Sequence, residues 1–310
     1  MNKGTKVSDS SPFKGEQEGV RAIILAAGTA SRLRPLTSHT PKCLLKVGER
    51  TLLQRSIDAL IKAGIREFVI VTGYLHEQIE NFVRKTYQDS LPLREGRGGS
   101  FRFIHNKDYE TTNNIYSLWL ARPEAEGQEV LLLDSDLLYD GQIIERVLAD
   151  KHDNVLTLIR HELGEEEMKV VIDAEGSIVE ISKTCDPAIA AGESLGIERM
   201  GKAYTTALYK ELEVMKTLSN FCPPSLTLPN CSASNRQLPL KGEEHKASPL
   251  RGGLVGSGGW ENSFYELAFQ RLIAQGHTYS VLDVTDLFSC ELDTVEDFEN
   301  AKERIPADLF

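Results

Sequence analysis

The sequence predicts a doubly wound α/β domain built on a mostly parallel sheet. Three observations carry this. Apolar runs of strand length alternate with amphipathic stretches of helix length from residue 21 to about 160. Glycine, asparagine and aspartate punctuate the joints between them. The size and make-up, 310 residues at 41% hydrophobic and 26% charged, suit one large soluble α/β domain or two small ones.

The elements follow in order. "RAIILAAG" reads as a buried strand running into a glycine turn, and "TLLQRSIDALIKAG" as a helix with Leu53, Ile57, Leu60 and Ile61 on one face, ended by Gly64. Strand "EFVIVTGY", helix "HEQIENFVRKTY", strand "SFRFIHN" and helix "NNIYSLWLARP" come next. "EVLLLDSDLLYD" is read as one strand, "GQIIERVLAD" as a helix and "NVLTLIR" as a strand. Such regular alternation places parallel strands side by side with crossover helices on both faces. Beyond residue 165 the order turns mixed. "MKVVIDAEGSIVEISK" reads as a hairpin turning at Asp173–Gly176, "ENSFYELAFQRLIAQG" as a helix, and "TYSVLDVT" and "SCEL" as strands. "TVEDFENAKERI" closes as a helix with Thr294 and Asp297 spaced as a capping box. The expected organisation is a disordered extension over 1–20 and one domain over 21–310, with a small mixed C-terminal extension and a loop insertion at about 220–259. Segments 10–19, 90–100 and 237–258 share a pattern of Ser or Leu, Pro, Leu or Phe, and Lys or Arg, followed by Gly and Glu; they read as surface insertions of common origin.

Thirty-five Lys+Arg against 46 Asp+Glu give a formal charge of −11, which argues against a general nucleic-acid or membrane-surface binder. No apolar run approaches the roughly 20 residues that span a bilayer. The first twenty residues lack the apolar stretch of a signal peptide. Five cysteines, without a CxxC pair, fit reduced thiols in the cytoplasm.

Against this acidic balance, "LAAGTASRLRPLTSHTPK" places Arg32, Arg34 and Lys42 around a glycine-bearing loop directly after a strand. Leu25, Ala26, Ala27 and Gly28 bring backbone N–H groups to a polyanion, and Gly28 removes a side chain that would block the approach. Arg32 reaches phosphates as a planar fork and Lys42 as a point charge, with Pro35 and Pro41 stiffening the spacing. The loop is neither a GxxxxGK[ST] phosphate loop nor a GxGxxG fingerprint. The acids Asp134 and Asp136, two apart at the end of the predicted strand, are expected on one face at the sheet's ligand edge. Asp293 lies at a strand end just before the last helix. Two carboxylates from distant parts of the chain, opposite a phosphate loop, suit one Mg²⁺ bridging to phosphate oxygens.

The string L-A-A-G-x-x-x-R-L-x-P-L-T-x-x-x-P-K resembles the signature of the nucleotidyltransferases that make nucleoside-diphosphate sugars and related activated alcohols. "NNIYSL" and the E-L-D-T-x-x-D run from Glu291 to Asp297 narrow the resemblance to bacterial phosphocholine and 2-aminoethylphosphonate cytidylyltransferases. It covers about residues 21–218 and 260–305. The resemblance implies a Rossmann-like, GT-A-like sheet and a soluble cytoplasmic enzyme. It implies transfer of CMP from CTP to a small phosphate or phosphonate acceptor with release of pyrophosphate, serving surface-polysaccharide or lipid decoration. It assigns Asp136 and Asp293 to Mg²⁺, Arg32 to the leaving phosphates, and Lys42 to the space between α-phosphate and acceptor. Asn113, Asn114 and Ser117 are expected to read the cytosine edge, with helix capping as the plainer role for either asparagine; Tyr74 is expected near the base. For the acceptor's far end, Trp260 and Tyr204, with Tyr265, would cage a trimethylammonium, and Glu193 and Glu261 would bind a primary ammonium. A sugar-1-phosphate or inositol-1-phosphate nucleotidyltransferase using CTP, UTP or dTTP is the neighbouring reading, and a non-catalytic nucleotide-binding regulatory protein the more distant one.

Overall fold

The structure, a computed structural model, describes residues 19–87, 99–221 and 259–306 together with Leu309. The expected N-terminal extension, the insertion at about 220–259 and the three repeat-like segments fall outside the described residues, apart from a few residues at their edges. In chain order the strands and helices are β1 (Val20–Ala26), β2 (Lys46–Val47), β3 (Arg50–Thr51), α1 (Leu52–Lys62), β4 (Glu67–Thr72), α2 (His76–Tyr87) and β5 (Ser100–His105). Then come α3 (Asn114–Leu120), α4 (Arg122–Ala125), β6 (Glu129–Asp134), β7 (Leu137–Tyr139), α5 (Gln142–Ala149), β8 (Val155–Ile159), β9 (Lys169–Ile172) and β10 (Ile178–Ser182). The chain continues through β11 (Gly192–Met200), α6 (Lys202–Phe221), α7 (Glu266–Ala274), β12 (Ser280–Asp283), β13 (Ser289–Glu291) and α8 (Val295–Arg304).

Nine strands form one sheet in the order β10-β9-β11-β6-β1-β4-β5, with β8 against β11 and β12 against β8. β5, β4, β1 and β6 run parallel, and β11 turns antiparallel against β6. Both faces are covered, so the central strands are apolar on both sides. Along β1, Ile23 and Leu25 enter one core layer while Ala22, Ile24 and Ala26 enter the other. All four parallel strands end on one edge, at Ala26, Thr72, His105 and Asp134, and this is where an open α/β sheet binds ligands.

Three findings differ from the sequence reading. Residues 129–140 are two strands: β6 stays in the large sheet, the chain turns at Ser135–Asp136, and β7 pairs with β13 in a separate ladder. β11 was not anticipated, since Glu193, Glu198, Arg199 and a central glycine disguise it. The long helix α6 was not anticipated either.

A third, smaller core explains how the edge is organised. Leu33 and Leu45 from the basic loop and the turn after it, Leu52 of α1, Leu138 of β7, Leu292 just after β13, and Phe298 of α8 pack together. Burying these side chains fixes the loop, the acidic turn and the C-terminal segment to one another, each large aliphatic contributing roughly 1.5–3 kcal/mol.

Candidate active site

The basic loop leaves β1 through Ala27 and Gly28 and is shaped by two short 3₁₀ turns, Ser31–Leu33 and Lys42–Leu44. Each turn carries one anchor and one cation. Leu33 and Cys43 are buried, which leaves Arg32 exposed at the rim and presents Lys42 to the cleft. The Thr37 hydroxyl donates to the Ala30 carbonyl at 2.8 Å and closes the loop on itself. Tyr74 braces it from β4's end: its N–H donates to the Ala27 carbonyl at 3.0 Å, and its hydroxyl lies 3.0 Å and 2.9 Å from the carbonyls of Thr37 and Ser38. Gly73 is required for this approach, because a Cβ there would stand 2.5 Å from the Ala27 carbonyl oxygen. At Gly28 a Cβ would meet no protein atom within 4 Å, so the fold itself does not demand that glycine.

Opposite the loop, β7 and β13 pair with Leu137 facing Glu291, and the Leu292 N–H donates to the Asp136 carbonyl at 3.2 Å. This ladder brings together acids 157 positions apart in the chain (293 − 136). The Lys42 ammonium lies 2.8 Å from Asp136 Oδ2 and 2.6 Å from Asp293 Oδ1, and Arg32 donates to the other Asp293 oxygen. Burial pulls the Lys42 ammonium down in pKa, but Asp136 and Asp293 outweigh it and hold it above the usual lysine value. Burial pushes Asp293 up, and Lys42 and Arg32 more than reverse that. Glu291 keeps an exposed face, yet burial of its carboxyl and then the charges of Asp136, Glu193 and Asp293 push it up to about 8. Asp134 takes no part in the lysine contact. The break in the strand sends it elsewhere, so the expectation that both acids share one strand face is corrected.

Asp134 belongs to a buried polar group that sequence reasoning did not assemble. The Tyr265 hydroxyl lies 3.0 Å from Asp134 Oδ2 and 3.4 Å from both Glu198 oxygens, and Ser194 donates to Glu198 at 3.4 Å. Burial raises Asp134 and Glu198 well above the carboxylate range, with Asp136 adding to the first and Glu266 to the second. A tyrosine has one proton to give, so contact with two carboxyls is satisfied when Glu198 is neutral and Tyr265 donates to Asp134. Gly196 (φ 78°) makes the room, since its Cβ would stand 2.8 Å from Asp134 Oδ2, and β11 bulges between Ser194 and Glu198. That glycine inside a charged strand was the one signal available in the sequence.

Asn113 caps α3, and Asn114 is its first residue. Asn113 Oδ1 accepts from the Asn114 N–H at 2.8 Å, and Asn114 Oδ1 accepts from the Tyr265 N–H at 3.0 Å, tying the helix start to the segment before α7. Ser117 is buried and accepts from Asn106 Nδ2 at 3.2 Å. Leu25, Ala26 and Ala27 are buried at the strand end beside them.

The expected acceptor residues part company. Tyr204 is corrected: it follows β11's far end, where Met200 faces Val130 at the start of β6, and it packs against Phe269 and Tyr279 at the opposite edge of the sheet. Trp260 is buried beside Tyr116 and Trp119, and Tyr265 is buried with the acids above, so Tyr204, Trp260 and Tyr265 form no open aromatic box. Glu193 is half-buried and meets His161 Nε2 at 2.6 Å. Glu261 lends its backbone carbonyl to the Asn113 N–H at 2.7 Å.

A doubly wound sheet with a cation-bearing loop facing paired carboxylates across its strand ends defines an α/β protein with its charged groups gathered at the sheet's ligand edge. Residues 22–206 match the MobA-like NTP transferase domain, and the chain belongs to that family. It is 36% identical over 118 residues to a choline-phosphate cytidylyltransferase of Streptococcus pneumoniae, covering 38% of this chain and 46% of that protein. It is 31% identical over 135 residues to a 2-aminoethylphosphonate cytidylyltransferase of Lancefieldella rimae, covering 44% and 46%. The chain thus spans about half the length of these relatives. The solved CTP:phosphocholine cytidylyltransferase of Streptococcus pneumoniae superposes with a TM-score of 0.63 over 92% of this chain and 98% of that one, at 20% identity, a likeness of fold. No helix among the described residues is long and apolar enough to cross a membrane.

Proposed function

We propose that the chain is a Mg²⁺-dependent cytidylyltransferase that moves CMP from CTP to a small phosphate or phosphonate acceptor. One observation carries the reading: Lys42, Asp136 and Asp293 converge at the ligand edge of the sheet. The open space at Gly28, which the fold does not need, supports close passage of a triphosphate. The names of the relatives support CTP as donor and a small phosphate or phosphonate as acceptor.

The donor set fits Mg²⁺. Two carboxylates already share one cationic atom, and Mg²⁺ is commonly held by one or two carboxylates together with phosphate oxygens and water. Asp136 and Asp293 would hold the ion, which when bound neutralises charge on the phosphates. The chain's own groups do the rest. Backbone N–H groups after Ala26 cradle the triphosphate, Arg32 takes the β- and γ-phosphates, and Lys42 sits between α-phosphate and acceptor. An acceptor oxygen forms a bond to the α-phosphorus as the bond to the bridging oxygen breaks, and pyrophosphate leaves with that electron pair. The nucleophile is an anion at neutral pH, so no general base is needed. Asn113, Asn114 and Ser117 are assigned to the cytosine edge and Tyr74 to the neighbourhood of the base; the resemblance of "NNIYSL" to cytidylyltransferases supports the first three. Burial of the aromatic candidates favours Glu193 and Glu261, and hence a primary ammonium, at the acceptor's far end.

The test is pyrophosphate release from CTP with aminoethylphosphonate, phosphocholine, glucose 1-phosphate and inositol 1-phosphate in parallel. Turnover with the first two, and CTP preferred over UTP and dTTP, is expected. A preference for UTP or dTTP with a hexose phosphate overturns the reading.

A further inference from the structure

We infer that Lys42 is an internal stand-in for the metal, closing the Asp136–Asp293 site to bare divalent ions until a nucleotide draws the lysine away. The inference rests on the metal site proposed above. Its ground is geometric. A single Nζ lies 2.8 Å from one carboxylate and 2.6 Å from the other, and these come from separate elements, the turn after β6 and the end of β13. Two carboxylates so close repel one another unless a cation lies between them, and the ammonium supplies it. The Lys42 side chain is 11% exposed and is rooted in a turn whose neighbour Cys43 is buried, so it is held against the acids and not waving in solvent. Arg32 covers the remaining oxygen of Asp293 from the rim.

Two consequences follow. The lysine keeps both acids aimed at one point with no ion bound, so the site stays assembled. A bare divalent ion must displace an ammonium that is paired with both acids at once. A triphosphate changes this balance, because it offers Lys42 new anionic oxygens at the moment its own metal reaches the acids. Metal and nucleotide therefore enter together.

The experiment measures Mn²⁺ bound to the protein without nucleotide, read from loss of the free-Mn²⁺ resonance in electron paramagnetic spectra, for wild type, Lys42→Met and Lys42→Gln. Removing the ammonium while keeping the acids is expected to tighten Mn²⁺ binding by about tenfold or more, as loss of a like charge at contact distance implies. Adding Asp136→Asn to either variant is expected to abolish the gain. Circular dichroism selects the variants that fold, and two substitutions of different polarity guard against one failing. Equal Mn²⁺ affinity in wild type and a folded Lys42 variant overturns the inference. If wild type retains no Mn²⁺ even with CTP, beyond what CTP binds alone, the metal reading itself falls and takes the inference with it.

Discussion

Glu266 shows how much burial alone does to a single side chain. It is 6% exposed, its Oε2 has no hydrogen-bond partner among the described residues, and burial pushes its carboxyl up to about 7. In an unfolded chain the same group titrates near 4.3. Between these values the folded state binds more protons than the unfolded one, so stability falls as pH rises from about 4.5 to about 7 and levels off above. Glu266→Gln should flatten that part of the profile and stabilise the protein at pH 8 by, at most, on the order of 3 kcal/mol. Urea melts of both proteins from pH 5 to pH 8 check this, and parallel slopes would refute it. At this scale the sequence was legible in part. Arg32 and Lys42 could be chosen because a spaced string with fixed prolines leaves little freedom. Glu198 and Tyr265 could not be joined, because 67 residues separate them and only a bulged strand and a short helix bring them into contact.

Elements decide whether those residues meet. The helix α8 begins at Thr294, whose hydroxyl accepts from the Asp297 N–H at 3.1 Å while Asp297 accepts from the Thr294 N–H at 2.8 Å. Asp293 is the residue just before this capping box, so the cap sets the direction of its backbone. Thr294→Ala should cost about 1 kcal/mol of stability, as cap losses do. It should lower kcat more than the accompanying melting shift explains, since Asp293 loses its fixed entry angle. A kcat loss no larger than the loss of folded protein would count against that link. The capping box was readable because it is a local pattern. The β6–β7 break was not, since "LLLDSDLLY" alternates as smoothly as an unbroken strand and only pairing with β13 shows where the sheet is left. The stripe formed by Tyr204, Leu208, Leu212 and Met215 carried the helical period of α6 and was open to reading.

The molecule as a whole brings together the two chain ends that flank residues 222–258. The Trp260 N–H donates to the Ser219 hydroxyl at 3.2 Å, so the chain on either side of residues 222–258 is held close together. Replacing 222–256 by a short Gly-Ser link should leave kcat within about twofold and the melting temperature within a few degrees, because closing a shorter loop between neighbouring ends changes the entropy little. Loss of turnover in a protein that still melts cooperatively would show that the stretch has a role of its own. The doubly wound class was legible from alternation alone. The antiparallel β11 beside β6 was not, because its pattern mixes charge, glycine and apolar residues.

The pairing of β7 with β13 also bears on when the protein can act during its own synthesis. Every strand of the large sheet precedes Ser289, so a nascent chain released that far can already assemble its central scaffold. It would still lack Asp293. On the role proposed for Asp293, the site is thus completed last, by the clasp that β13 and α8 throw over the acidic turn.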